Sequence, residues 1–315
     1  MKIVVADGYA LNPGDLNWEK ISHLGELKVY DRTAPELVVE RCGDADIIIT
    51  NKTPVDKSAI ESLRNLKMIT MLATGYNVID IRAARQRGID VCNVPAYGTA
   101  SVAQHALALI LALTNRVHVH AASVAKGEWE KASDFGYALT PLMELSGKTL
   151  GIIGMGNIGR QTAQIGVAFG MNIMYSSRSE KPEAPGTYAD IETVFSESDV
   201  VSLHCPLTPD NNQFVNAKMI GLMKRTAFII NTARGQLINE ADLAAALNEG
   251  KIGGAGLDVL SQEPPRTENP LLKARNCVIT PHNAWMTKEA RERIMEVTND
   301  NIKAFIDGRP QHVVN

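Results

Sequence analysis

The sequence predicts an α/β protein with two doubly wound parallel sheets, and three observations support this fold class. Short apolar runs alternate with amphipathic segments, a pattern typical of a parallel sheet with helices on both faces. The alternation occurs in two blocks, residues 2–94 and residues 149–280, with a long helix-forming stretch between them. The chain of 315 residues also exceeds the usual size of one domain, so two separate cores are expected.

The first block contains four apolar runs that we predict to be buried strands. Amphipathic segments such as residues 35–42 and 58–63 separate the runs and are predicted helices. No glycine-rich phosphate-binding turn follows the first run, so the block is predicted to bind a substrate or regulator rather than a second nucleotide. The four runs cover residues 3–5, 47–49, 68–72 and 89–91.

Residues 101–126, rich in alanine and leucine, are predicted to form one long helix linking the two blocks, with Thr99 or Ser101 as its N-cap. His118 and His120 lie two positions apart and point to different helix faces. We therefore predict a solvated or interface histidine pair and no metal site.

A glycine-rich turn at the start of the second block predicts a dinucleotide site. The apolar run 150–153 leads into Gly-x-Gly-x-x-Gly at residues 154–159, and a helical pattern follows. Gly154 permits a tight turn, and Gly156 lets backbone N–H groups approach a pyrophosphate. Gly159 lets the helix lie close to the strand, and the positive N-terminus of that helix would stabilise the phosphates.

Six apolar runs in the second block are predicted strands of a complete dinucleotide-binding sheet. A charged amphipathic helix at residues 289–306 is expected to pack back and close the first domain. The predicted organisation is a Rossmann cofactor domain, residues 100–286, inserted in a flavodoxin-like substrate-binding domain, residues 1–99 and 287–315. The six runs cover residues 149–153, 172–175, 200–203, 227–231, 254–259 and 278–280.

Composition argues against several classes of function. The net charge is only −3, and acidic and basic residues are interspersed, so neither nucleic acid nor an anionic membrane is an expected partner. The longest apolar stretch, residues 106–113, is far too short to span a membrane, and no signal peptide is recognisable at the first residues. We expect a cytoplasmic protein with four reduced cysteines that binds a small molecule.

Three strand ends in the second block deliver polar side chains to the sheet edge where doubly wound sheets bind ligands. Arg234, Glu263 and His282 each follow a predicted buried strand. One such residue would be an ordinary surface charge. Arginine, glutamate and histidine at one edge together predict an active site.

At these residues the chain resembles the D-isomer-specific 2-hydroxyacid dehydrogenase family over essentially its whole length. Three motifs carry the resemblance: residues 150–159, residues 231–235, and residues 258–263 followed by Pro281-His282. Within the family the chain is most similar to glycerate dehydrogenases, which are hydroxypyruvate reductases. The details that favour this subfamily lie at residues 74–77, 93–97, 141–149 and 282–285.

The resemblance implies NAD(P)H-dependent reduction of a small 2-keto acid, hydroxypyruvate or glyoxylate first, to the D-2-hydroxy acid. His282, cationic before hydride transfer, would donate the proton to the keto oxygen. Glu263 would orient the imidazole and favour its cationic form. Arg234 would bind the substrate carboxylate with its planar fork and polarise the keto oxygen.

The resemblance also implies which residues contact the ligands. The first domain would present backbone N–H groups to the substrate across a cleft. Asn51 and Lys52 would border this cleft or belong to a solvated loop, and the bulky Trp285 favours a small substrate pocket. Predicted substrate-binding residues are Ala73, Thr74, Gly75, Arg234 and His282. Predicted cofactor-binding residues are Thr74, Gly154, Gly156, Asn157, Ile158, Gly159, Ser177, Arg178, Cys205, Pro206, Thr232, Ala233, Arg234, Asp258 and His282.

The loop after the second strand of the cofactor domain departs from the common acidic pattern. Ser177 stands where a carboxylate would bind the adenosine ribose and select NAD. No acidic group there repels a 2′-phosphate. Arg178 is placed to pair with such a phosphate, or else is a surface residue. The sequence therefore predicts NADP(H) as the favoured cofactor, with NAD(H) possible.

The sequence is also compatible with two alternative functions, and it predicts a homodimer. A nucleotide-sensing corepressor on the same fold would bind partners without turnover, and no additional partner-binding tail supports it. A phosphite dehydrogenase or another 2-hydroxyacid dehydrogenase is an enzymatic alternative, whereas formate enzymes pair their histidine with glutamine, against which Glu263 argues. The helix at 101–126 and the loop carrying Trp129 resemble the elements through which the family forms two-fold dimers, so a homodimer is expected.

Overall fold

The computed structural model describes residues 1–315 as two compact units. Unit 1 comprises Met1–Tyr97 and Met286–Asn315, and unit 2 comprises Gly98–Trp285. Unit 2 is therefore an insertion in the chain of unit 1.

Twelve strands and eleven α-helices form the two units. The strands are β1 (Lys2–Val5), β2 (Glu26–Val29), β3 (Ile47–Thr50), β4 (Met68–Met71), β5 (Asp90–Cys92), β6 (Thr149–Ile153), β7 (Asn172–Ser176), β8 (Thr187–Tyr188), β9 (Val200–Leu203), β10 (Phe228–Asn231), β11 (Gly254–Leu257) and β12 (Cys277–Ile279). The helices are α1 (Glu19–Ser22), α2 (Val38–Cys42), α3 (Lys57–Ser62), α4 (Ile81–Gln86), α5 (Thr99–Thr114), α6 (Val117–Ala125), α7 (Asn157–Ala168), α8 (Ile191–Glu197), α9 (Ala217–Leu222), α10 (Glu240–Asn248) and α11 (Lys288–Ile306). Short 3₁₀ helices cover Gly8–Ala10, Pro35–Leu37, Pro209–Asn211, Gly235–Leu237 and Pro270–Lys273.

The sheet of unit 1 has five parallel strands in the order β2-β1-β3-β4-β5. Strands β3 and β4 are buried over their whole length, as expected for central strands covered on both faces. This confirms the predicted doubly wound, flavodoxin-like fold class of the unit. Strand β2 was not predicted, because it lies at the sheet edge and its four residues are exposed or half-buried. It lacks the continuous apolar run that marks the central strands.

The sheet of unit 2 has seven parallel strands in the order β12-β11-β10-β9-β6-β7-β8. Six of them were predicted, and the doubly wound fold class is confirmed. The seventh strand, β8, has only two residues, both exposed, and carries no sequence signal. The order reverses between β6 and β9, and doubly wound sheets bind ligands at such a switch point, beyond the carboxyl ends of the strands.

The stretch predicted as one long helix is two helices. Helix α5 ends at Thr114 and α6 begins at Val117, and the two are bent by 57°. Arg116 between them has a φ of 50°, a left-handed conformation that interrupts helical geometry. The N-cap position of α5 is Gly98, because the predicted caps Thr99 and Ser101 already lie within the helix.

No single helix has the length and apolar composition of a membrane span. Helices α5 and α6 meet that criterion only when taken together as this bent pair. The inner face of α5, with Ala106, Leu109, Ile110 and Leu113, is buried in a core cluster of unit 2. The helix is thus a core element of that unit.

Small residues of β11 let α5 lie close to the sheet of unit 2. A Cβ on Gly256 would lie 2.9 Å from the Cβ of Leu109, and one on Gly254 would lie 3.2 Å from a methyl group of Leu113. Both leucines are buried. Larger residues at these two strand positions would displace the helix.

Helix α11 packs back on unit 1, as its amphipathic pattern suggested. The buried Arg291 donates two hydrogen bonds to the Asp15 carboxylate, at 2.7 and 2.6 Å, and one to Leu11 O at 3.0 Å. Asn301 Nδ2 donates to Asn93 O at 2.9 Å. These bonds fix the last helix of the chain to two loops of its own unit.

The four cysteines are free thiols, as predicted. Burial raises the pKa of Cys42 to about 11. It raises the pKa values of Cys92 and Cys277 to about 12. These thiols therefore stay protonated and poorly nucleophilic at neutral pH.

Candidate active site

The glycine turn after β6 has the geometry of a dinucleotide-binding turn. Gly154 has a φ of 100°, and a Cβ there would lie 2.7 Å from Cys205 N, so only glycine fits. A Cβ on Gly159 would lie 2.2 Å from Gly154 O, which is the close helix–strand contact that the third glycine allows. Above Gly156 no atom lies within 4 Å of an ideal Cβ, which leaves room for a ligand against the backbone.

The residues after this turn can hold a pyrophosphate. Helix α7 begins at Asn157, and the N–H groups of Gly156, Asn157 and Ile158 have no acceptor within the chain. Unpaired N–H groups at the positive end of a helix of twelve residues form an anion-binding site. The residues present therefore fit the phosphates of a dinucleotide.

The loop after β7 carries the residues expected to choose between the two nicotinamide cofactors. Ser177 Oγ donates to Ser179 O at 2.6 Å, which shapes the loop. The side chain of Arg178 is exposed and makes no hydrogen bond or ion pair within the chain. Glu183, an acidic residue further along, is paired with Arg160 at 2.9 Å. The guanidinium of Arg178 thus remains available to an anionic ligand.

The loop after β9 lies against the glycine turn and contains a histidine that the sequence reasoning missed. His204 N donates to Ile153 O at 2.7 Å, and its Nε2 lies 2.9 Å from Ser202 Oγ. Burial lowers the pKa of His204 to about 4, so the ring is neutral at physiological pH. Cys205 and Pro206, both predicted to contact the cofactor, follow this histidine directly.

Arg234 lies on a turn that is built by a buried asparagine at the end of β10. Asn231 Oδ1 accepts from Ala233 N at 3.0 Å, and its Nδ2 donates to Arg234 O at 2.9 Å. The exposed guanidinium of Arg234 uses Nη1 to donate to Ala233 O at 2.7 Å. Its other N–H groups remain for a ligand. Thr232 Oγ1 is buried in the same turn without a hydrogen-bond partner, a group that a bound ligand could satisfy.

The Arg234 turn and the loop after β11 touch backbone to backbone. A Cβ on Gly235 would lie 1.9 Å from the carbonyl carbon of Leu260. Gln236 Nε2 also donates to Ser261 O at 2.9 Å. Because residue 235 has no side chain, the loops that carry Arg234 and Glu263 can lie this close together.

Glu263 and His282 form a hydrogen-bonded pair. His282 Nδ1 lies 2.5 Å from Glu263 Oε2, and Glu263 Oε1 accepts from Leu260 N at 2.9 Å. The His282 and Glu263 side chains are 31% and 36% exposed. The carboxylate accepts the Nδ1 proton, so His282 Nε2 is the nitrogen left for a ligand, and it has no partner within the chain.

Asp258 holds the loop that carries His282. This residue is 2% exposed, and its carboxylate accepts from Asn283 N at 3.0 Å and Ala284 N at 2.9 Å. Its main-chain oxygen accepts from His282 N at 2.9 Å. The predicted contact of Asp258 with the cofactor remains a prediction, and the structure adds a role in shaping the loop.

A second histidine reaches this loop from α5. His105 Nε2 lies 2.9 Å from Thr280 Oγ1 and 3.4 Å from Asp258 Oδ1. Thr280 Oγ1 in turn donates to Asp258 Oδ1 at 2.6 Å. Neither His105 nor Thr280 was singled out from the sequence, because the contact joins residues 175 positions apart.

In unit 1, residues 73–75 follow β4 and form a loop with unpaired N–H groups. Val94 N donates to Ala73 O at 3.0 Å, and Thr74 Oγ1 donates to Val94 O at 2.7 Å. Asn93 Nδ2 donates to Thr74 O at 2.8 Å. The N–H groups of Ala73, Thr74 and Gly75 have no acceptor within the chain, which suits the predicted binding of a carboxylate.

The neighbouring loop after β3 is closed by a buried carboxylate. Asp7 accepts from the N–H groups of Asn51, Lys52 and Thr53, at 2.8, 2.5 and 2.8 Å. The backbone donors at residues 51 and 52 are therefore occupied. A ligand that needs donors from residues 51 and 52 would have to use their side chains.

Comparison with known proteins places this geometry among related enzymes. Residues 107–284 match the family described as D-isomer specific 2-hydroxyacid dehydrogenase, NAD binding domain. The chain is 47% identical over its full length to a hydroxypyruvate reductase of Blautia hydrogenotrophica, which is also covered in full. It is 40% identical, over 99% of its length and 98% of the relative, to a glycerate dehydrogenase of Methylorubrum extorquens. An acyclic imino acid reductase solved with NADPH and D-Arg shares 33% identity and a TM-score of 0.88, with both chains covered in full.

Proposed function

The chain belongs to the D-isomer specific 2-hydroxyacid dehydrogenase family, and from that membership we propose that it reduces hydroxypyruvate or glyoxylate to the D-2-hydroxy acid, with NADPH preferred. It is an NAD-binding oxidoreductase of the hydroxypyruvate reductase and glycerate dehydrogenase type. The observation that carries the proposal is the hydrogen-bonded Glu263–His282 pair, which shares one sheet edge with Arg234.

The proton donor is His282. A reduced nicotinamide, when bound, would supply a hydride to the carbonyl carbon of the keto acid, whose oxygen would take a proton from this chain. Glu263 accepts from Nδ1, so the imidazolium gives up the proton on Nε2 and keeps the one on Nδ1. One keto acid, one reduced cofactor and one proton become one hydroxy acid and one oxidised cofactor. Oxidation of the hydroxy acid uses the same nitrogen as a base.

The substrate carboxylate is bound by Arg234. One guanidinium nitrogen is fixed by Ala233 O, which orients the planar fork and leaves the other N–H groups free. A guanidinium matches a carboxylate with two parallel hydrogen bonds. In unit 1, the unpaired N–H groups of Ala73, Thr74 and Gly75 support the predicted role of these residues in substrate binding.

We assign cofactor binding to residues 100–286 and substrate binding mainly to residues 1–99 and 287–315. The glycine turn, the α7 N-terminus and the Arg178 loop support the first assignment. The unpaired N–H groups of residues 73–75 support the second.

Arg178 supports a preference for NADPH. Its guanidinium has no partner within the chain, and Ser177 supplies no carboxylate to repel a 2′-phosphate. The related imino acid reductase was solved with NADPH, which supports the proposed use of the phosphorylated cofactor. A phosphate on the adenosine ribose would give Arg178 a charge-assisted partner.

We also propose that the chain forms a homodimer through α6 and the segment after it. This part of unit 2 exposes large apolar side chains, among them Phe135 at 98% and Trp129 at 53%. The segment is held in place, since His120 Nε2 accepts from Leu139 N at 3.1 Å and Tyr137 bonds Ser123 at 2.6 Å. A second copy would cover this fixed apolar surface. Sedimentation showing a monomer at micromolar concentration would contradict the proposal.

The activity is tested by initial rates with purified protein. Hydroxypyruvate, glyoxylate, pyruvate and phosphohydroxypyruvate are each offered with NADPH and with NADH, and the configuration of the product is determined. We expect the highest kcat/KM with hydroxypyruvate or glyoxylate and NADPH, and a D product. No turnover of either keto acid, or an L product, would contradict the proposed function.

A further inference from the structure

We propose that His105 on α5 is a positioning residue for the proton donor His282 and acts through Thr280 and Asp258. The proposal rests on the proposed function, because it concerns the reaction assigned to His282. Neither the sequence motifs nor the similarity to known proteins pointed to His105. The contacts described above carry the proposal.

The packing of α5 on β11 brings His105 to Asp258. Leu113 and Leu109 of α5 face the two glycines of β11, one after the other along the strand. His105 is the next residue of the same helix stripe, four positions before Leu109. Asp258 directly follows β11 and continues the alternation of Gly254 and Gly256. Four residues along the helix advance about 6 Å, and two residues along the strand advance about 6.6 Å. Each of the three helix residues therefore lies opposite one of the three residues at 254, 256 and 258.

The hydrogen bonds in this contact have a defined direction. The Asp258 carboxylate accepts from the N–H groups of Asn283 and Ala284, so it acts as an acceptor. The single hydroxyl proton of Thr280 is donated to Asp258 Oδ1. The Thr280 oxygen must therefore accept from His105 Nε2, which fixes a proton on that nitrogen.

These bonds act on an unusual backbone. His282 has a φ of 51°, a left-handed conformation that residues other than glycine rarely adopt. Such a conformation persists where its surroundings fix it, and here Asp258 bonds the N–H groups of residues 282–284. Thr280 and His105 contact the Asp258 oxygen that accepts from Asn283 N. Loss of the His105 donor would let the loop relax and misplace the His282 ring.

The test compares variants of the full-length enzyme with hydroxypyruvate and NADPH. His105→Leu keeps bulk but removes the donor, and we expect kcat to fall about 10- to 100-fold, since small misplacements of catalytic groups have effects of this size. KM and the NADPH Kd should stay within about two-fold, because Arg234 and the glycine turn, which are proposed to bind the carboxylate and the phosphates, are unchanged. His105→Gln places an amide N–H near the Nε2 position and should restore most of the lost kcat. His23→Leu, at an exposed position of unit 1, is the matched control.

Thr280→Val removes the hydroxyl that transmits the contact. It should lower kcat as much as His105→Leu. The kcat of the double variant should be no lower than that of either single variant, because both residues act through the same series of hydrogen bonds. If His105→Leu is too unstable to assay, His105→Gln and His105→Asn give the same comparison. The asparagine amide is too short to reach Thr280.

The proposal is overturned by wild-type kcat in His105→Leu, by equal kcat in the glutamine and asparagine variants, or by losses that multiply in the double variant. Each of these results leaves the proposed function intact if wild type is active and His282→Ala is not. Full turnover in His282→Ala would instead overturn the proposed function. The two failures are therefore separable.

Discussion

The Nδ1 atom of His282 lies 2.5 Å from Oε2 of Glu263, and the second oxygen of that carboxylate accepts from Leu260 N. Glu263 is thus anchored to the backbone of its own loop before it contacts the histidine. The ring orientation of His282 depends on two loops that follow neighbouring strands, β11 and β12. This arrangement leads to the first two predictions.

Replacing the proton donor should abolish most of the turnover. His282→Ala or His282→Asn is expected to lower kcat for keto-acid reduction by roughly 10²–10⁴ while NADPH binding stays nearly unchanged. Steady-state kinetics and fluorescence titration with NADPH measure the two effects. Near-wild-type kcat would end the assignment of His282.

Replacing the glutamate should lower turnover. Glu263 accepts from both His282 Nδ1 and Leu260 N, whereas a glutamine has only one acceptor oxygen, so Glu263→Gln loses one of the two hydrogen bonds. The ring orientation of His282 is then no longer fixed, and kcat for keto-acid reduction is expected to fall about 10- to 100-fold. Steady-state kinetics measure the effect, and an unchanged kcat would show that the Glu263 contact is not needed to orient the ring.

Cofactor preference should reverse in a double variant. Ser177→Asp with Arg178→Ala supplies a ribose acceptor and removes the phosphate partner. An exposed arginine–phosphate contact contributes about 1–2 kcal/mol, so the wild-type preference for NADPH is expected to be roughly 5- to 30-fold. The ratio of kcat/KM for NADPH and NADH measures it. A wild-type preference for NADH would show that Arg178 does not bind the phosphate.

Gly235 should tolerate no side chain. Gly235→Ala forces the backbones of two loops apart, and we expect a loss of about 1–3 kcal/mol in the free energy of unfolding together with lower turnover. Gly221→Ala is the matched control, because its Cβ would enter open space in α9. Thermal melts of both variants make the comparison. Equal Tm values would mean that the loops separate without cost.

His204 should contribute to acid instability. Its pKa falls from 6.5 to about 4 in the folded protein because burial disfavours the cation, so the unfolded chain binds an additional proton between these values. Stability present above pH 6.5 is therefore lost as the pH falls toward 4. The Tm of His204→Gln is expected to fall less steeply over this range. Parallel slopes for variant and wild type would rule out the contribution.

The predictable part of the fold was the part with a strong local pattern. Central strands such as β3 and β10 are continuous buried apolar runs, and the glycine turn has a fixed spacing. The edge strands β2 and β8 have exposed residues and gave no signal. The break in the predicted helix at Arg116 was also missed, because neither proline nor glycine marks it and its left-handed φ arises from tertiary context.

The residues of the candidate site also fall into those that the sequence could predict and those that it could not. Arg234, Glu263 and His282 could be singled out because each lies in the loop that follows a strand, and the structure brings Glu263 and His282 into contact. His105 and Asp7 could not be found, because their contacts join distant parts of the chain. When a side chain supports a loop that is distant in sequence, the residues around it do not indicate which loop it contacts.

The edges of both sheets are short and poorly suited to pairing with another chain. Strand β8 has two residues, β5 and β12 have three each, and β2 presents Glu26 and Lys28 among its four. The β5 edge is also covered by an antiparallel bridge between Cys92 and Val313. Short and charged edges resist the addition of foreign strands. At the high concentrations of recombinant expression, misassembly by strand exchange is therefore disfavoured, and ordered association of copies has to use helices and loops.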